Sequence, residues 1–383
     1  MRLQVARAAA VVTLAMMAAG GGGFAAAQES GSGISQQDLF VKEGRALPRL
    51  PGLLVTREGT VLAVAQWRKN GAGDFGNPTD IILRRGVDGG ATWEERVTLY
   101  DSGADWAGGL GPIVQDRETG RIFVSFVRIP VKGHGGERGF FDSMVKNWAP
   151  FYMVTSDDDG RSWSEPYAVK IEPDAAGNFA SPGNCNSGIQ LASGRLVLPS
   201  WSRPKQGDGW GHARAGVIYS DDHGKTWKVG AISPEGSNES TVAAVGPLEI
   251  YLNWRHTIRG QKGRGWSRSV DGGLTFAENG FHDELVNPTV HAGVACQAYD
   301  KDGDRDVLVF TNPIGPGRSH IAARVSRDGG RTWSAPRMVY EGSAAYSDAA
   351  VLPNGKILCL YEADGYSRIR LALIGSKIFA RGN

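Results

Sequence analysis

Five aspartates recur in one short motif, and their carboxylates are the first groups in the chain that invite a chemical interpretation. The motif has the form Ser-x-Asp-x-Gly-x-Thr/Ser-Trp, and its aspartates are Asp88, Asp158, Asp222, Asp271 and Asp328. Carboxylates this close to turns can ligate calcium, but a calcium loop also needs oxygen ligands at alternate positions and a closing glutamate, which the motif around Asp158 lacks. Aspartate and serine side chains equally bond to nearby backbone in turns, where glycine supplies a positive φ. We therefore interpret the motifs as structural turns.

The three cysteines offer no second kind of site. Cys185, Cys296 and Cys359 are an odd and sparse set, and no two of them have the spacing of metal ligands or of a disulfide framework. Cys359 lies in a strand-like apolar run, which favours a buried packing role. The sequence therefore predicts no metal and no cofactor.

The spacing of the motifs indicates the architecture that carries them. Successive copies lie about 50 to 70 residues apart, and a strand-like run precedes each, as at 81–84 and 320–325. Glycine is unusually frequent, with 54 residues among 383, which is typical of many tight turns between short strands. A repeat of this length with variable insertions predicts an all-β fold, a six-bladed β-propeller of four-stranded blades in which one blade lacks the motif.

Composition and termini limit the location and the partners. A formal net charge of +2 is too small to indicate a nucleic-acid partner. Residues 1–27 combine Arg2 and Arg7 with an apolar run and end in a small-residue cleavage pattern, so we interpret them as a signal peptide, with an uncleaved anchor as the alternative. No second long apolar stretch follows, which indicates an exported protein, periplasmic or secreted, without a stable membrane span after signal removal. The predicted boundaries are a leader segment at 28–44, the propeller at 45–376 and a tail at 377–383.

The repeated motifs resemble the Asp-boxes of the sialidase (neuraminidase) superfamily, of the bacterial exo-α-sialidase type. Arg49-Leu50-Pro51 precedes the first motif, as the family's Arg-Ile-Pro segment does, with leucine in place of isoleucine. Arg128-Ile129-Pro130 matches that triplet letter for letter, but it follows the first motif and lacks the residues expected downstream. We interpret Arg49 as the family's arginine and Arg128 as a coincidence.

Further matches occur in the family's order and extend the resemblance over roughly 45–374. They are Arg68 and Asp74, the segment from Asn238-Glu239-Ser240 to Arg255, Arg318, Tyr346 and Glu362. The resemblance implies that Arg49, Arg255 and Arg318 bind the carboxylate of a sialic acid through charge-assisted hydrogen bonds. Arg68 joins the substrate-binding residues, and Glu362 orients Arg49.

The resemblance also assigns the chemistry. Tyr346 is the nucleophile, Glu239 is the base that takes its proton, and Asp74 is the acid and base at the leaving oxygen. A carboxylate nucleophile would meet the substrate's own carboxylate at the reacting carbon, whereas a phenol approaches as a neutral group. The implied activity is retaining hydrolysis of terminal sialic acids from glycoproteins, glycolipids or oligosaccharides through a tyrosyl-enzyme intermediate, in ganglioside and oligosaccharide catabolism.

One departure from the family leaves the preferred sugar open. Gly111 stands where the family commonly has an acidic or amide residue that reads the C4 and N-acyl region, and Asp105 or Trp106 are candidates to compensate. A deaminated sialic acid or another ulosonic acid is therefore an alternative substrate, and a non-catalytic lectin-like propeller is an alternative function. The segment 131–150, with Phe140, Phe141 and Trp148, is either a wall of the pocket or blade packing.

Overall fold

The computed structural model describes residues 28–29, 33–133, 139, 150–183, 185–296 and 307–375. The predicted signal peptide, the predicted tail at 377–383 and nearly all of the predicted loop, including Phe140, Phe141 and Trp148, lie outside these ranges. None of the described residues forms a helix with the length and apolar character that a membrane crossing needs.

The described elements are β-strands, which pair mainly with their neighbours in sequence. Two strands precede the first blade, β1 (Gln28–Glu29) and β2 (Ile34–Val41). The strands of the first blade are β3 (Leu47–Val55), β4 (Val61–Arg68), β5 (Thr79–Val87) and a split outer strand, β6 (Thr92–Trp93) with β7 (Val97–Tyr100). Those of the second blade are β8 (Trp106–Gln115), β9 (Ile122–Pro130), β10 (Phe151–Ser156) and β11 (Tyr167–Val169).

The next two blades repeat this antiparallel order. Those of the third blade are the split inner strand β12 (Phe179–Ser181) with β13 (Ile189–Gln190), then β14 (Leu196–Arg203), the side hairpin β15 (Lys205–Gln206) with β16 (Gly209–Trp210), β17 (Arg214–Ser220) and β18 (Lys228–Ile232). Those of the fourth blade are β19 (Ser237–Ala244), β20 (Ile250–His256), β21 (Arg264–Ser269) and β22 (Glu278–His282).

A long strand joins the last two blades. The fifth blade comprises β23 (Gly293–Cys296), β24 (Leu308–Pro313), β25 (Ser319–Ser326) and the first part of β26 (Arg337–Val351). The second part of β26 begins the sixth blade, which continues with β27 (Ile357–Ala363) and β28 (Arg368–Ile374).

The outer strand of the sixth blade comes from the other end of the chain. Strand β2 pairs with β28 from Ile34↔Ile374 to Val41↔Arg368. This pairing covers a sheet edge that would otherwise expose unpaired backbone groups. The predicted boundary at residue 45 is therefore wrong, because part of the segment 28–44 is a strand of the propeller. The pairing also explains why the sixth blade lacks the repeated motif, since no hairpin connects its last two strands.

The apolar core lies between the blades. Six clusters of buried apolar side chains among the described residues each join two neighbouring blades, and together they cover all six junctions, including that between the sixth and the first. The inner strands β3, β8, β13, β19, β23 and β26 contact one another in a closed ring. The predicted six-bladed β-propeller is confirmed.

The repeated motifs form turns at one face of this ring. In the second copy, Asp158 Oδ1 accepts hydrogen bonds from Ser156 Oγ and Ser162 N, both at 2.8 Å, and Oδ2 accepts one from Ser162 Oγ at 2.6 Å. These bonds lower the pKa of Asp158 to about 2. The same bonds recur around Asp222, Asp271 and Asp328. Both carboxylate oxygens are thus used inside the turn, in keeping with a structural role.

Candidate active site

The predicted site residues gather at the ends of the strands that face away from the motif turns. In the first blade, Gly86 at the motif end pairs with Val61, whereas Arg68 at the other end pairs with Thr79. Arg49 lies opposite Gln66, close to that same end. The site and the repeated motifs therefore occupy opposite faces of the propeller.

Three of the predicted residues lie at irregularities in strand pairing. The register shifts between Arg49 and Gly52 in β3, within Ser237–Ser240 around Glu239 in β19, and within Ala344–Ser347 around Tyr346 in β26. A β-bulge bends its strand locally and re-aims a side chain that regular alternation would direct elsewhere. These bulges on three different blades bring the three side chains together.

Tyr346 and Glu239 form the centre of the arrangement. The Tyr346 hydroxyl donates a hydrogen bond to Glu239 Oε1 at 2.9 Å, and both residues are buried. Arg255 Nη1 lies 3.1 Å from Glu239 Oε2 and donates to the Tyr346 hydroxyl oxygen at 3.2 Å. A phenol, a carboxylate and a guanidinium thus meet at one point.

Burial sets the protonation of this pair. Burial first, and the negative charge of Glu239 second, raise the pKa of Tyr346 well above its ordinary value. Burial also raises the pKa of Glu239, and the positive charge of Arg255 acts in the opposite direction. The phenol is therefore neutral at physiological pH, so it needs a proton acceptor to become a nucleophile, and Glu239 is in hydrogen-bonding contact with it.

The three arginines predicted to bind a carboxylate surround the same tyrosine. The guanidinium carbons of Arg49 and Arg318 lie 5.9 and 5.7 Å from the centre of the Tyr346 ring, while Arg255 contacts its hydroxyl. Three cations from three blades therefore border one small region, which suits a compact anion.

A buried carboxylate joins this group to the tyrosine strand. Glu362 Oε1 accepts hydrogen bonds from Arg49 Nε at 2.6 Å and from Leu50 N at 2.9 Å. Its Oε2 accepts one from the backbone N–H of Tyr346 at 3.3 Å. Glu362 thus fixes Arg49 relative to Tyr346 and offsets part of the repulsion between the arginines.

Two backbone carbonyls hold the arginines in pairs. Thr289 O accepts from Arg255 Nη1 at 2.8 Å and from Arg318 Nη2 at 3.1 Å. Ala72 O accepts from Arg49 Nη1 at 3.2 Å and also from Arg68 Nη1. Thr289 has a φ of 58°, which is unusual for a β-branched residue and indicates a backbone held by its surroundings.

Asp74 lies at the solvent edge of the group. Its Oδ1 is 2.6 Å from Arg68 Nη1, and 70% of its side chain is exposed whereas Arg68 is almost fully buried. Asn77 stabilises the surrounding loop by accepting from Asn70 N at 2.9 Å and donating to Gly71 O at 2.7 Å. A carboxylate in this place can meet both a leaving group and incoming water.

Sequence reasoning missed Tyr366. Its hydroxyl accepts a hydrogen bond from Arg318 Nη1 at 3.0 Å, and its ring centre lies 4.1 Å from the guanidinium carbon of Arg49. A φ of 69° is uncommon for an aromatic residue, and the residue stands in the tight turn after β27. The signal available in the sequence was an aromatic residue in an Asp-Gly turn directly after Glu362.

Gly111 does not face the site in the way the sequence suggested. A Cβ on Gly111 would lie 2.5 Å from Ser125 Oγ and 3.0 Å from Ser125 O on the neighbouring strand. Glycine is present because β8 and β9 approach closely, so this position says nothing about the sugar. Arg128 of the second Arg-Ile-Pro triplet packs on the ring of Trp106, with 4.2 Å between guanidinium carbon and ring centre.

Known proteins resemble the chain in both sequence and fold. The family described as BNR repeat-like domain matches residues 59–359. A sialidase of Micromonospora viridifaciens is 32% identical over 360 residues, which cover 89% of this chain and 54% of that protein. A sialidase of Bacteroides fragilis (strain YCH46) is 31% identical over 337 residues, covering 82% of this chain and 60% of the relative. The chain therefore spans little more than half the length of these relatives.

A solved structure gives the same result. The Hadza microbial sialidase Hz136 superposes with a TM-score of 0.74 and 26% sequence identity, over 87% of this chain and 66% of that one.

Proposed function

Because the chain belongs to the sialidase superfamily, we propose that it is a retaining exo-α-sialidase, a glycoside hydrolase that releases terminal sialic acids from glycoconjugates. The observation that carries this proposal is the hydrogen bond between Tyr346 and Glu239 inside a group of three arginines. A sialic acid bears a carboxylate directly on its anomeric carbon. The arginines bind that carboxylate and so hold the anomeric carbon near the phenol.

The first half of the reaction forms a covalent bond to Tyr346. Its oxygen attacks the anomeric carbon while its proton passes to Glu239 Oε1, 2.9 Å away. The bond from the anomeric carbon to the aglycone oxygen breaks, and protonated Asp74 gives its proton to that oxygen. The aglycone leaves as an alcohol through the solvent edge where Asp74 lies.

The second half returns the enzyme to its starting state. Ionised Asp74 takes a proton from water as the water oxygen attacks the anomeric carbon. The bond to Tyr346 breaks, and the phenolate recovers its proton from Glu239. Two displacements at one carbon give net retention of configuration.

A lectin-like propeller is the less favoured function. Such a protein would need the arginines alone, whereas this chain also holds a buried phenol against a buried carboxylate. Burying both groups has a desolvation cost that binding an anion does not require. Their retention therefore favours catalysis.

The activity and the sugar preference are tested together by release of a fluorogenic alcohol from N-acetyl, N-glycolyl and deaminated sialosides. We expect turnover of at least one of the three, with N-acetyl preferred, since Gly111 does not line the site. Preference for the deaminated glycoside would support the related ulosonic acid as substrate. Turnover of none of them, with the fold intact by thermal melt, would contradict the proposed function.

Replacing Arg318 by alanine is expected to raise KM for a sialoside about 10- to 100-fold, because a charge-assisted hydrogen bond contributes about 1.5–3 kcal/mol. Tyr366→Phe removes only one hydroxyl acceptor from Arg318 and should raise KM less, about two- to tenfold. Steady-state kinetics measure both. The exposed Arg337→Ala is the control, and an unchanged KM in Arg318→Ala would remove Arg318 from the site.

We also propose that the protein is exported, on the pattern of residues 1–27. Its substrates would then be glycoproteins, glycolipids or oligosaccharides outside the cytoplasm, in ganglioside and oligosaccharide catabolism. Determination of the N-terminus of the exported protein checks this, with cleavage near Gln28 expected and a retained Met1 as the contrary result.

A further inference from the structure

A cleft between the first and second blades contains a group of side chains that the proposed reaction does not use. It encloses about 880 Å³, within the range of about 300–1,000 Å³ typical of small-molecule sites. Among the residues that line it are Trp106, Arg128 and Tyr152 along one side and Lys69, Asp80 and Asp101 along the other. The arginine is that of the second Arg-Ile-Pro triplet, so the sequence feature set aside as a coincidence is part of this cleft.

The first side offers aromatic faces and an unsatisfied donor. The guanidinium carbon of Arg128 lies 4.2 Å from the Trp106 ring centre and 5.2 Å from that of Tyr152. Its buried Nε has no hydrogen-bond partner among the described residues. Trp106 is 36% exposed although it is a large aromatic side chain. An exposed aromatic face beside an unused N–H is suited to a ring that has an apolar face and a hydroxyl-bearing edge.

The second side offers oxygen acceptors in a fixed arrangement. Lys69 Nζ lies 2.9 Å from Asp80 Oδ1 and 3.0 Å from Asp101 Oδ1. Asp80 Oδ1 also accepts from the N–H and the hydroxyl of Ser102, each at 2.8 Å. The remaining carboxylate oxygens are therefore held in place as acceptors for hydroxyl groups.

The charges that line the cleft balance. Its basic residues are Lys69, Arg128 and Arg161, and its acidic residues are Asp80, Asp101 and Glu165. A balanced lining gives no net attraction for an anion, in contrast to the arginine group around Tyr346. A neutral polyhydroxylated ligand suits it better than a second sialic acid.

The cleft begins beside the residue that acts on the leaving group. Lys69 directly follows Arg68, whose guanidinium contacts Asp74. The loop that carries Asp74 begins at Lys69 and closes with a hydrogen bond from Lys69 N to Pro78 O at 2.9 Å. An aglycone that departs past Asp74 therefore leaves beside the cleft.

We propose that this cleft is a subsite for neutral pyranose residues of the glycan that carries the terminal sialic acid, with a sugar ring stacked on Trp106. The subsite role rests on the proposed sialidase activity. Its consequence is a preference for sialylated oligosaccharides over sialosides with a small aglycone.

Kinetics with two substrates test the subsite. In Trp106→Ala, kcat/KM for a sialylated tetrasaccharide with neutral inner sugars should fall about tenfold, while kcat/KM for an aryl sialoside stays within about twofold. Trp106→Phe keeps an aromatic face and should restore most of the loss. Tyr167→Ala, which removes an aromatic side chain of similar exposure outside the cleft lining, is the matched control and should affect neither substrate.

Equal losses on both substrates would place Trp106 in the sialic-acid pocket and overturn the proposal, as would no loss on either. Titration of the desialylated tetrasaccharide into the Tyr346→Phe protein gives a second measurement that needs no turnover. Binding that weakens in the added Trp106→Ala variant supports the sugar site, and absence of binding overturns it. If the wild-type protein releases no sialic acid but binds this sugar through Trp106, the proposed activity is wrong and the sugar site stands.

Discussion

Replacing Tyr346 by phenylalanine is expected to lower kcat on a sialoside by about 100- to 10,000-fold or more, because the substitution removes the atom that forms the covalent bond. The variant keeps the ring, so the contacts of Arg49 and Arg318 with it persist, and substrate binding should change little. A large loss in kcat with a nearly constant KM is therefore the expected pattern.

Fold integrity separates this result from unfolding. The thermal melt of Tyr346→Phe should shift by only a few degrees, since a hydrogen bond contributes about 0.5–1.5 kcal/mol. Glu239 keeps Arg255 as a partner at 3.1 Å. Tyr219→Phe, in the third blade, is the matched control. A near-native kcat in Tyr346→Phe would show that another group is the nucleophile.

The second large effect is expected from Glu239→Gln. Glutamine can still accept a hydrogen bond from the Tyr346 hydroxyl, but it cannot take the proton. Loss of a general base typically costs about 100- to 10,000-fold in rate, so kcat should fall by that range. Glu235→Gln, an exposed substitution of the same type in the adjacent loop, should leave kcat unchanged.

The pH profile gives an independent readout of the same residue. Glu239 must be ionised to act as a base, so kcat/KM should fall as pH decreases through its pKa. Because burial raises that pKa, the acidic limb should lie above the ordinary range of a glutamate. In Glu239→Gln the limb should disappear from the residual activity. A limb that survives unchanged would assign it to another group.

The fold could be predicted from the sequence because each blade carries its own local signal. The motif around Asp158 makes a turn from its own residues, and its tryptophan packs against the preceding blade. The boundary at 45 was wrong because the pairing of β2 with β28 joins segments more than 300 residues apart. No local pattern in 28–44 indicates such a partner.

The site was predictable only where a side chain belongs to a motif. Tyr346, Glu239 and the arginines stand in recognisable segments, and the structure brings them together, although their roles stay predictions. The carbonyls of Thr289 and Ala72 could not be found, because a backbone oxygen leaves no mark in the sequence. The direction of position 111 depends on how closely β8 and β9 approach, which only the fold determines.

The central claim is that the Tyr346 oxygen bonds to the anomeric carbon of the substrate. The most direct test is to incubate the protein with 2,3-difluorosialic acid, whose C2 fluoride leaves readily and whose C3 fluorine slows hydrolysis of the adduct. Peptide mass spectrometry then locates the label. The account predicts one sugar on the peptide that contains Tyr346 and none in Tyr346→Phe. A label on Glu239 or Asp74, with Tyr346 unmodified, would contradict it.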